Sequence, residues 1–146
     1  MGSYGTGTET GIGEERAADA GAESITPPVP VGLQIHVVSV AAGGTLGVRR
    51  LRPTERRLIA EAAKLDGSAA SALRYAELVV RAAVISVEDV MDFVGKPLPP
   101  VRHVPNAALG GLKVASVEIF DALQSDEIKR VVDFAVSGIR EEQAGN

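Results

Sequence analysis

The chain has 146 residues, a formal net charge of −4, no Cys, no Trp, three Phe and two Tyr. Without Cys there are no disulfides and no thiolate metal sites. No apolar run reaches the ~20 residues a helix needs to cross a bilayer, and the few aromatics argue against stacking on single-stranded nucleic acid.

The length allows one domain and a tail. Residues 1 to 30 carry Glu9, Glu14, Glu15, Asp19 and Glu23 against Arg16 alone, which accounts for the whole net charge. The remainder is neutral and so lacks the electrostatic footprint of a phosphate-backbone binder. The 1–30 stretch is rich in Gly, Thr, Glu and Ala. It holds too little apolar surface to offset the entropy of ordering it, so it is expected to be disordered. Pro27, Pro28 and Pro30 close it as a stiff spacer. It has no apolar core behind a basic start, so no secretory signal is expected.

From Val31 to Val40 the pattern is that of a strand, with Leu33, Ile35 and Val37 on one face. Gly43-Gly44 supplies a turn, and Leu46 to Leu51 completes a hairpin. Pro53 ends the ladder. Thr54 is placed to cap a helix through Leu65, stopped near Gly67. Ser68 or Ser71 caps a second helix to about Ile85, with Leu73, Ala76, Val80, Ala83 and Val84 on one face. Ser86 and Asp89 read as a capping box for a short third helix, Val87 to Val94. Four prolines and Gly110-Gly111 make residues 96–111 an irregular connector. Ser116 can cap a helix over Val117 to Leu123, although Leu112 to Ile119 also alternates like a strand. Ser125 caps the clearest helix. Its stripe is Ile128, Val131, Val132, Ala135, Val136 and Ile139. Residues 141–146 form a polar C-terminal tail.

The fold class expected from this order is α+β, mostly α. An N-terminal hairpin is followed by a small bundle of four to five short helices, in a single domain over residues 31–140.

Chemistry is scarce. His36 and His103 have no second ligand at metal spacing, which favours half-buried or surface roles. Glu88, Asp89 and Asp92 form an acidic group, which reads more simply as first-turn carboxylates facing a helix dipole than as a metal site. Gly5 and Gly7 do not complete a dinucleotide fingerprint, Gly95-Lys96 is not a phosphate loop, and no nucleophile elbow exists. The sequence therefore points to no catalytic residue, no metal and no cofactor.

Arg49, Arg50, Arg52, Arg56 and Arg57 form the one dense charge cluster, relieved only by Glu55. Such a corner can contact an acidic partner, contact nucleic acid, or simply be solvated. The helices on either side of Gly67 suggest a helix-turn-helix. The second is too apolar to read bases, so protein contact is favoured. Ile128, Val132 and Val136 are the second candidate contact, since an apolar helix stripe either fills a core or docks a partner.

Three segments resemble bacteriophage tail assembly chaperones: Val48-Arg-Arg-Leu-Arg-Pro-Thr-Glu-Arg-Arg-Leu-Ile59, Tyr75-Ala-Glu-Leu-Val-Val-Arg-Ala-Ala-Val-Ile85, and Phe120-Asp-Ala-Leu-Gln-Ser-Asp-Glu-Ile128 with the striped helix that follows. The resemblance covers roughly residues 46–139, and baseplate-assembly chaperones share its pattern. It implies a small, mostly helical, non-enzymatic adaptor for a tape-measure, tube, tail or baseplate hub protein. Its place would be the cytoplasm or a phage or phage-tail-like particle. Alternatives are a structural component retained in the particle or a nucleic-acid-binding regulator using the Arg49–Arg57 cluster, and a homo-oligomer is compatible with any of these.

Overall fold

A computed structural model describes residues 29–137. Most of the expected N-terminal tail, the polar C-terminal tail and Ile139 lie outside the described residues.

The hairpin forms, but its first strand begins at Ile35 and not at Val31, and its second ends at Arg49 and not at Leu51. Strand β1 (Ile35–Ser39) pairs antiparallel with β2 (Thr45–Arg49), from Ile35 opposite Arg49 to Ser39 opposite Thr45. A turn of 3-10 helix over Val31–Leu33 leads into β1. Helix α1 (Pro53–Ala63) begins one residue before the expected cap. Proline suits that first position because its missing N–H would have no helical partner there. Arg52 occupies the cap, and its N–H donates to the Glu55 carboxylate at 2.8 Å. Helix α2 (Ala69–Ala83) is capped by Ser68, whose Oγ accepts from the Ser71 N–H at 3.1 Å.

Beyond α2 the expected helical bundle is wrong. Val84 to Glu88 is not the end of a helix and the start of another but a third strand, β3 (Val84–Glu88). It pairs antiparallel with β2 and completes a three-stranded sheet of order β1-β2-β3. The β-branched Val84, Ile85 and Val87 are stiff at χ1 and gain more on a pleated surface than in a helix. The expected helix Val87 to Val94 does not exist. Ser86 lies in the strand opposite Gly47 rather than capping anything. Asp92 instead closes a tight loop, its carboxylate accepting from the Val94 and Lys96 N–H groups at 2.9 and 2.8 Å.

The connector carries a second ladder, β4 (Val104–Pro105) against β5 (Lys113–Val114). A short α3 (Glu118–Asp121) follows, with the Ser116 Oγ accepting from the Glu118 N–H. Last comes α4 (Ser125–Ser137). Its cap is Gln124, one residue earlier than expected, because the Gln124 carbonyl accepts the first helical N–H from Ile128. The described residues thus form a mixed fold of helices and strands, with two ladders and four α-helices, not a hairpin joined to a bundle.

Helices cover one face of the sheet. Val38, Leu46, Val48 and Val84 point inward to meet Ile59 of α1, Leu78 to Val80 of α2, and Val131, Phe134 and Ala135 of α4. The core is almost wholly aliphatic. Leu51 ties β2 to α4 through its N–H, which donates to the Ala135 carbonyl at 2.9 Å. Among the described residues no helix packs on the opposite sheet face, where Ile35, Val37 and Ile85 are exposed.

Candidate partner-binding surfaces

The arginine corner is not one exposed patch. Arg49 ends β2 and turns toward the helices. Its guanidinium grips Glu55 with two bonds of 3.1 and 3.2 Å, and Nε donates to the Ala82 carbonyl at 3.2 Å. One side chain therefore joins β2, α1 and α2, with the forked geometry that carboxylates hold best. Arg50 donates to the Gln34 side-chain oxygen at 3.2 Å and lies over the Phe134 ring, 5.9 Å from its centroid. Arg56 is half-buried. The Nε atoms of Arg50 and Arg56 are buried without a hydrogen-bond partner. Only Arg52 and Arg57 are open to solvent. The cluster divides into an inward bridge, two half-buried stems and two free cations, because β2 and α1 aim neighbouring residues in different directions.

This division sets an expected result. Arg49→Met removes charge-assisted bonds each worth roughly 1.5–3 kcal/mol, so a loss of about 2 kcal/mol is expected in urea unfolding. Arg52→Ala and Arg57→Ala are expected to stay within about 0.5 kcal/mol of the parent. Burial pushes the Glu55 carboxyl up. The bond from Arg49, the Arg52 N–H and the charges of Arg49 and Arg52 outweigh it and hold the group below its ordinary 4.5. A carboxyl lowered in the folded state contributes stability above its unfolded value, and that contribution is lost as pH falls through the folded one. The stability difference between the parent and Glu55→Gln is therefore expected to shrink below pH 4.5. A pH-independent difference in urea midpoints would remove this account of Glu55.

Ile128, Val132 and Val136 are half-buried and pack along the border of the core, while Val131 and Ala135 beside them are fully buried. The α4 stripe is therefore core and core margin. Both histidines are occupied. His36 stacks on Phe134 with centroids 5.0 Å apart, and His103 Nε2 lies 2.9 Å from the Val84 carbonyl oxygen. Among the described residues no group of three or more His, Asp or Glu is placed to hold a metal ion.

What the sequence reading missed is the outward sheet face. Ile35 and Val37 of β1 are 51% and 60% exposed, and Ile85 of β3 is 37% exposed. Gly47 lies between them, opposite both Val37 and Ser86. Val31 and Leu33, just before β1, extend the apolar surface. β1 is also an edge strand. Natural edges are commonly blunted by Lys, Pro or a bulge, and Ile-His-Val-Val-Ser has none of these. The opposite edge, β3, is partly covered by His103. The alternation of Leu33, Ile35 and Val37 was visible in the sequence. That it marks the bare face follows only from the helices packing on the other side.

No family model, curated protein or solved structure matches the chain. None of the helices among the described residues is long and apolar enough to cross a membrane.

Proposed function

We propose that this chain is a non-enzymatic adaptor that binds other proteins, with β1 receiving an extended segment of a partner subunit as an added strand. The observation that carries the reading is the unblunted edge strand, whose exposed side chains Ile35 and Val37 are apolar. An added strand would satisfy the free backbone groups of that edge and take Ile35 and Val37 out of water. That is the chemistry of strand addition. Nothing in the described residues or the comparisons points to an enzyme.

The resemblance in residues 48–59, 75–85 and 120–128 supports a more specific form. In it the chain is an assembly chaperone of a phage tail or tail-like particle. Its partner is a tape-measure, tube or hub subunit, met in the cytoplasm or in the growing particle. A third strand after α2 does not argue against that role, since the edge and its bare face are what a client would meet.

The test is co-expression with the tape-measure protein that the chaperone reading places in a neighbouring gene, and a neighbourhood without tail genes would remove that reading. Val37→Lys places a charge on the bare face without touching the core. It is expected to keep the parental melting temperature within about 2 °C, since surface changes stay near 0.5 kcal/mol. It is also expected to abolish co-elution and the client's solubility. Undiminished co-elution of the variant would remove β1 as the contact.

A further inference from the structure

We propose that the proline-rich connector and α3 form a second docking site, a furrow that takes an extended peptide segment. That segment carries a carboxylate at one end, a short apolar run in the middle and a basic residue at the other end. The proposal rests on the adaptor reading in one respect, that the ligand is a protein chain. The site lies apart from the β1 edge.

Three cavities adjoin along this side of the molecule. The first, about 520 Å³, is lined by Arg81, Arg102 and Asn106. The second, about 500 Å³, shares Arg102 and Ser116 with the first and is walled by Leu98, Pro100, Val101 and Ile119. The third, about 180 Å³, shares Glu118 with the second and reaches Phe93, Asp92 and Asp121. The furrow is therefore cationic at one end, apolar in the middle and acidic at the other end. Phe93, at 84% exposure the most exposed large hydrophobic side chain among the described residues, stands at the acidic end.

The cationic end is free to act. Arg102 is exposed and makes no hydrogen bond or ion pair among the described residues. Arg81 is held in place, its Nε donating to the Ala115 carbonyl at 2.7 Å and its Nη1 to Glu77 at 3.1 Å. Its Nη2 keeps donor capacity. Two guanidiniums lining one cavity, one fixed and one free, suit a carboxylate.

The middle favours an extended chain over a small molecule. The three cavities adjoin through shared lining residues and none is an enclosed chamber, whereas small-ligand sites bury most of their ligand. Pro99 and Pro100 stiffen one wall, so little ordering is needed on binding. No backbone hydrogen bond among the described residues engages Val101 or Arg102. Those groups can pair with a bound main chain, while the two prolines prevent a continuous sheet ladder from forming there.

The experiment uses the full chain, immobilised and panned against a random dodecapeptide display library. The enriched peptides are expected to carry Asp or Glu at one end of an apolar run and Lys or Arg at the other. Panning on Arg102→Glu is expected to replace the acidic residue by a basic one, and Arg102→Lys is expected to retain it. A fluorescein-labelled copy of the enriched peptide, followed by anisotropy, is expected to bind Arg102→Glu about tenfold more weakly than the parent. No enrichment, a motif without opposed charges, or a motif unchanged in Arg102→Glu would overturn the furrow. Loss of the motif in Val37→Lys would also overturn it, because the peptides would then be binding the sheet edge. Because the probe is a library and not a particle subunit, failure here leaves the β1 co-elution test standing. Failure of that test likewise leaves the furrow standing.

Discussion

Glu127→Ala is expected to destabilise the protein by about 2–4 kcal/mol, a large part of the 5–15 kcal/mol a domain of this size commands. Glu127 has no solvent exposure. Its Oε1 accepts from the Gln124 N–H at 2.8 Å, and its Oε2 accepts from the Ala41 N–H in the β1–β2 turn. One carboxylate therefore closes the first turn of α4 and fastens the hairpin to it. Burying a carboxylate is costly, and an apolar replacement can sometimes be neutral. Here two effects oppose that outcome. The group sits at a helix N-terminus, where negative charge is favoured, and its removal strands two backbone donors. Glu127→Leu is therefore expected to be destabilising as well. Glu127→Gln keeps the volume and one acceptor, so about half the loss is expected. Urea unfolding checks the series, and a thermal midpoint lower by about 10 °C is expected for the alanine variant. A loss under about 0.5 kcal/mol for alanine would show that the carboxylate fastens nothing.

Glu127 also marks the boundary of what the sequence discloses. An acidic residue three positions after a cap is a common helix start, and α4 was legible from its periodicity. Which cap it serves differed by one residue, and its burial depends on Ala41, far away in the chain. The arginine corner divides in the same way. Five cations within nine residues look alike in sequence. Only the directions imposed by β2 and α1 separate Arg49, locked on Glu55, from Arg52 and Arg57 in solvent.

The hairpin, α1, α2 and α4 were legible because each writes its own period into the chain. β3 was not. Its Ser86 and the Asp89 that follows it imitate a capping box, and its five residues are too few to set a period. What decides it is the free edge of β2, a partner almost forty residues earlier, to which Ser86 fits because Gly47 has no side chain. The connector read as irregular because Pro and Gly forbid long elements. Its Leu98 and Val101 still pack against the core, and that packing shapes one wall of the furrow. The missing strand and the missed sheet face share one cause. Without β3 there is a ribbon with two edges, and no bare face can be assigned to it.

Gly44→Ala is expected to be the most damaging single methyl in the hairpin. Gly44 has φ +89°. That conformation alone costs an alanine roughly 1–2 kcal/mol. A Cβ at Gly44 would also come closer than 3.0 Å to the carbonyl oxygens of Glu88 and Asp89, at the end of β3. Both obstacles are backbone, so relief requires the end of the strand to move away from the turn. A total loss of about 3 kcal/mol or more is expected, in the range of overpacking combined with backbone strain. Gly43→Ala provides the control. Gly43 has φ +112° but open space around its Cα, so only the strain is incurred and a loss of about 1–2 kcal/mol is expected. The difference between the two variants in urea unfolding isolates the contact with β3. Equal losses would mean that the end of β3 does not lie against the turn. The third strand, and with it the assignment of β1 as the open edge, would then have to be redrawn.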